Sequence, residues 1–207
     1  MTIDHPIFTQ SIQIIQSKLG DTGLDPLQQK ILERLIHTSG DFAIQPLLKF
    51  SPLSCEIGIS SLKAGAPILT DTSMAAAAVA PMAARTLDSS VHCILDWAPD
   101  TPLNGSTRSK IGMQKAWNYL SKEFVGSKSP IVLIGSAPTA LESLLDLLIN
   151  GSNLPSLIIG MPVGFVGVLQ SKHRLSNCDC PQIRLDGNRG GAAMAAAAIN
   201  ALLRLSV

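Results

Sequence analysis

The first part of the chain repeats apolar residues at helical spacing, so PIFTQSIQIIQSKLG and DPLQQKILERLIHTSG predict two successive helices. In the second, Asp25 is placed to cap the first turn and Pro26 suits the first helical position. Leu27, Ile31 and Leu35 recur every fourth residue and form a stripe that turns toward a core. At about 100° per residue, His37 falls near Lys30, Glu33 and Arg34 on the opposite side, in the last turn.

After a connecting segment the pattern changes to short apolar runs, each followed by a helical one. APILTDTSMAAAAVAPMAAR, SSVHCILDW, SPIVLIGSAPTALESLLDLLIN, LPSLIIGMPVGFVG and PQIRLDGNRGGAAMAAAAINALLRL alternate strand and helix. The expected fold is α/β, a single domain over residues 1–207 with a mainly parallel β-sheet flanked by helices. In such sheets ligands bind beyond the carboxyl ends of the strands, and Asp71, Asp96, Ser136 and Asn188 each follow an apolar strand run.

Composition sharpens this picture. With 46% hydrophobic but only 4% aromatic residues, the core must be aliphatic and alanine-rich, which suits close helix packing. The two alanine-rich segments, MAAAAVAPMAAR and AAMAAAAINALLR, are explained by that packing better than by duplication. Sixteen Lys and Arg against fifteen Asp and Glu remove the electrostatic case for nucleic acid or a membrane surface. The longest apolar stretch, LPSLIIGMPVGFVGVLQ, is broken by two prolines and three glycines and is too short to span a bilayer. MTIDHPIFTQ lacks the basic and apolar regions of a secretory signal, so a cytoplasmic location is the expectation. Cys55, Cys93, Cys178 and Cys180 are too irregularly spaced for a disulfide framework, and CDC has no second pair to complete a zinc site. Reduced thiols and no metal site are expected.

Four segments can carry chemistry. IVLIGSAPTALESLL is strand, glycine turn and helix, and the N–H groups after Gly135 can hold an anion or simply close a tight turn. It lacks the dinucleotide fingerprint and the P-loop lysine, which makes a nucleotide-binding enzyme a poor rival reading. NGSTRSKIGMQKAW sets Arg108, a planar fork suited to carboxylates, in a turn rich in glycine and hydroxyls. GMPVGFVGVLQSK spaces glycines along an apolar loop that can lie against a large flat ligand. DGNRGGAAMAAA puts Arg189 among glycines at a helix start. Together these describe a glycine-lined cavity with cationic anchors, suited to a large molecule carrying several carboxylates. His37, near a helix C-terminus, is expected to lean toward its charged form and to serve as a proton donor or as a helix-end hydrogen-bonding residue.

LIHTSGD, ILTDTSMAAAAV, STRSKIGM, IGSAPTAL, IGMPVGFVGVLQSK and DGNRGGAAMAAAAINALL follow one another in the order and spacing of the precorrin-8X methylmutase family, which includes the cobalt-precorrin-8 methylmutases of cobalamin (vitamin B12) biosynthesis. The sequence resembles that family from about residue 5 to its end. The resemblance implies an isomerase that moves a methyl group from C11 to C12 of a corrin precursor, giving hydrogenobyrinate or cobyrinate, without a separate cofactor. It also implies a homodimer with the active site at the subunit interface, and a tetrapyrrole substrate with carboxylate side chains. His37 matches the family's catalytic histidine. On this footing Arg108 and Arg189, with N–H groups after Gly135 and Gly190, hold substrate carboxylates, and the loop Gly164 to Gly167 lies against the macrocycle. Thr38, Asp71, Thr72, Ser136 and Ser171 are further expected contacts. Ser136 stands where the family often has Asn, and Asn188 where Arg or Lys is frequent. The resemblance leaves open whether the substrate already holds cobalt. A non-catalytic tetrapyrrole carrier, with the cavity kept and turnover lost, is the alternative from another class.

Overall fold

A computed structural model describes residues 5–102 and 105–207. Six strands form one sheet in the order β1-β6-β5-β4-β2-β3: Leu48–Phe50 (β1), Ile68–Thr70 (β2), Val91–Cys93 (β3), Ile131–Ile134 (β4), Leu157–Gly160 (β5) and Gln182–Leu185 (β6). All neighbours are parallel except the edge pair β1 and β6, where Leu48 opposes Leu185. The expected mainly parallel α/β sheet is therefore present.

Continuous apolar strands explain why both faces are covered. Along β4, Ile131 and Leu133 point into one apolar cluster while Val132 and Ile134 point into the other. The first cluster is completed by helices α1 (Pro6–Leu19), α2 (Pro26–Ser39), α3 (Ser54–Lys63), α4 (Ser73–Arg85) and α8 (Ala192–Leu205). On the other face lie α5 (Arg108–Glu123), α6 (Pro138–Ile149) and α7 (Val168–Ser176). Helix α8 is buried along most of its length, and its alanines let α4 and α2 approach it closely.

Three features depart from the pattern-based picture. The connecting segment contains β1 and α3. Helix α3 begins without a side-chain cap, at Leu53 with φ 56°, and includes Gly58, where a Cβ would lie 2.9 Å from Leu157 Cδ2. The polar side of α2 is only partly solvated: α1 packs on it, and the buried Glu33 accepts from Gln16 at 2.9 Å, Gln29 at 3.2 Å and Lys30 at 3.1 Å. Among the described residues, no helix is long and apolar enough to cross a membrane.

Candidate active site

The loops leaving β4, β5 and β6 meet at the carboxyl end of the sheet. Val163 N–H donates to Gly135 O at 3.2 Å, Gly164 N–H to Asn188 O at 3.1 Å and Gly191 N–H to Met161 O at 2.9 Å. Two glycines are indispensable here. A Cβ on Gly135 would lie 2.6 Å from Ala192 Cα, and one on Gly190, at φ 152°, would lie 2.0 Å from Met161 O. Lys172 fastens the last loop from beneath. Its buried Nζ donates to Gly187 O at 2.6 Å and Arg189 O at 2.7 Å, and burial pulls its ammonium down to about 8 despite Asp186 nearby.

Several expected substrate contacts are already engaged within the chain. The N–H groups of Gly135, Ser136 and Ala137 all donate to Asp71 Oδ2, at 3.0, 2.6 and 2.8 Å, so this cradle holds the protein's own carboxylate. Asp71 is fully buried; burial pushes its carboxyl up while the three donors pull it down. In this structure Asp71 and the N–H groups after Gly135 thus satisfy one another, and the N–H after Gly190 bonds to Met161 O. Ser171 is likewise engaged within the chain: it is buried and donates to Val168 O at 2.9 Å. Thr72 caps α4 by accepting from Ala75 N–H at 3.3 Å. The Ser136 side chain remains exposed.

His37 lies in the last turn of α2, with its ring exposed. Its Nδ1 is 2.8 Å from Ser11 Oγ, and its ring meets Phe8 edge-on at 4.9 Å. The expectation of a charged imidazole is overturned. Partial burial against its neighbours, followed by repulsion from Arg34, lowers the pKa below the usual histidine value. Arg34 and Arg204 sit over the Phe8 ring at 4.7 and 5.3 Å, and the buried Arg34 Nε has no hydrogen-bond partner. A groove of about 420 Å³ runs beside them between α1, α2 and α8. Periodicity alone did not single out Arg34; its one signal is its place three residues before His37 on the same helical face.

The remaining candidates divide between these two regions. Asp41, just past α2, pairs with the half-exposed Arg189 at 3.4 Å and so ties the end of the histidine helix to the glycine loops. Thr38 is exposed and donates to Arg34 O at 2.9 Å. Arg108 opens α5, exposed, with Nε donating to Pro99 O at 3.0 Å. Between Gly164 (φ 133°) and Gly167 (φ 72°), Phe165 and Val166 are 87% and 90% exposed, an apolar loop tip with nothing of the described chain over it.

The family model for precorrin-8X methylmutase matches residues 6–205. The chain belongs to this family. It is 34% identical to the cobalt-precorrin-8 methylmutase of Synechocystis sp., over 99% of this chain and 97% of that protein. It is 37% identical to the precorrin-8X methylmutase of Pseudomonas aeruginosa, over 95% and 93%. A crystal structure of precorrin-8X methylmutase from Thermus thermophilus superposes with a TM-score of 0.85 at 33% identity, covering 97% of this chain and 95% of that one. The chain is thus an isomerase of cobalamin biosynthesis by kinship. Within it, Lys172 and Arg34 are the residues that pattern reading missed, because each looks like an ordinary polar helix position.

Proposed function

We propose that this protein moves the methyl group on C11 of precorrin-8X, or of its cobalt counterpart, to C12, giving hydrogenobyrinate or cobyrinate. The full-length family match carries this reading, with His37 presented at an exposed helix end where the family motif LIHTSGD falls. A methyl shift around a conjugated ring is an intramolecular rearrangement. It is helped by protonating a ring nitrogen, which makes the π system electron-poor, and by holding the ring in a reactive shape. His37 gives that proton. Ser11, against Nδ1, leaves Nε2 to face the substrate. Arg108 and Arg189 hold peripheral carboxylates through charge-assisted bonds, and Gly164, Gly167 and the exposed Phe165 and Val166 lie against the macrocycle. Thr38, Thr72 and Ser136 are secondary contacts. The working form is a cytoplasmic homodimer with its active site at the subunit interface, as the resemblance implies.

The test is anaerobic incubation with precorrin-8X and, separately, cobalt-precorrin-8, followed by ultraviolet and visible spectra, with His37→Ala alongside. Conversion by wild type alone is the expected result and shows which substrate is used. A spectral shift without conversion, equal in both proteins, supports a carrier instead.

A further inference from the structure

Two cysteines that the methyl shift does not use lie between the end of α7 and the start of β6, whereas the glycine loops follow the strand ends. Cys178 and Cys180 are free thiols whose Sγ atoms are 2.9 Å apart. Chain geometry keeps them together, since residues two apart are separated by at most about 7 Å, and disulfides form within that span. The segment is also held: Gln182 Nε2 donates to Leu175 O at 2.7 Å and Cys178 O at 3.1 Å. A cavity of about 460 Å³, lined by Leu145, Leu148, Ile149, Arg174 and both cysteines, brings solvent to Cys178, which is half-buried, while Cys180 is 2% exposed.

We propose that Cys178 and Cys180 form a redox-sensitive vicinal dithiol that exchanges with a low-molecular-weight disulfide and closes reversibly to an intramolecular disulfide. The Cys178 thiolate attacks one sulfur of the small disulfide, forming a mixed disulfide and releasing one thiolate. Cys180 then attacks Cys178 Sγ, the Cys178–Cys180 bond forms, and the second small thiolate leaves with the Cys180 proton. The protein is oxidised by two electrons and the small disulfide is reduced to two thiols. The division of labour matches the surroundings. The neighbouring thiol draws Cys178 down to about 6, which favours it as the attacking thiolate, whereas the same contact and burial push Cys180 up. Arg174 is engaged by Glu142 and Asp146, so the thiol pair sets this chemistry.

The experiment treats the full-length protein with glutathione disulfide, blocks remaining thiols by alkylation and maps the peptides by mass. In wild type, the peptide carrying both cysteines should lose two hydrogens, carry no glutathione, and recover with dithiothreitol. Cys180→Ser should trap glutathione on Cys178, and Cys178→Ser should react at least about tenfold more slowly. Buried Cys55 and Cys93 serve as unreactive internal references. A wild-type pair that stays reduced, or that keeps glutathione without closing, overturns the proposal; this reading needs no variant to fold.

Discussion

The imidazole of His37 stands where two effects oppose each other. The C-terminus of α2 favours its cation by about 0.3–1 kcal/mol, while burial and Arg34 favour the neutral ring and lower its pKa. If the protonated ring delivers the catalytic proton, kcat/KM falls as pH rises, with a midpoint below 6.5. Bound substrate brings carboxylates toward the cationic side, so the midpoint in kcat should lie higher than that in kcat/KM. His37→Ala should lose about 10²–10⁴ in kcat and show no such titration, with its circular dichroism unchanged. A rate independent of pH in wild type would remove His37 as the acid. Asp71 is the opposite kind of residue, one whose chemistry is spent on the fold. Asp71→Ala leaves the N–H groups of Gly135, Ser136 and Ala137 without their acceptor, and should cost about 3 kcal/mol in urea unfolding. Asp71→Asn keeps an acceptor oxygen and should cost less; equal losses would mean that the charge, not the acceptor, holds the turn.

Among the elements, α7 links the strand ends to its own buried face through Lys172. Lys172→Met removes both donors to the carbonyls of Gly187 and Arg189, which should loosen the loop that presents Arg189 and raise the Kd for the product pigment. The sign with pH follows from burial. The ammonium is charged in the unfolded chain up to its ordinary 10.5 but loses its proton near 8 when folded, so wild-type stability rises with pH between those values. Lys172→Met should lack that rise when unfolding midpoints are compared at pH 7.5 and 9.5. Helix α2, the parallel strands and the three glycine loops were legible because their signals are local: a four-residue stripe, short apolar runs, glycines before helices. Helix α3 was not, since Gly58 and the uncapped start at Leu53 weaken the local pattern and packing against β5 and α8, at Leu157 and Leu202, secures it. The Asp71 cradle and the Lys172 clamp join residues distant in sequence, so their partners become visible only once the sheet order is known.

Across the whole molecule, the residues of the proposed site occupy two regions of one chain. Arg34 lines the groove along α1 and His37 stands one turn further on against Ser11 and Phe8, while Phe165, Val166 and Arg189 sit on the glycine loops, joined to α2 through Asp41. At about 420 Å³ the groove lies toward the small end of ligand pockets, and a tetrapyrrole with its peripheral carboxylates is a large ligand. The loop tip meanwhile exposes two large apolar side chains that nothing in the described chain covers. A second copy placed by two-fold symmetry can close both gaps at once, since each chain offers its partner the same surface it receives. Activity should then depend on assembly. On dilution, specific activity should fall with the same midpoint as a dimer-to-monomer transition followed by sedimentation, and a ligand that bridges the proposed interface should shift that midpoint to lower protein concentration at saturating substrate. A monomer with full specific activity would place every required residue within one chain, and the exposed Phe165 and Val166 would then have the macrocycle alone as their cover.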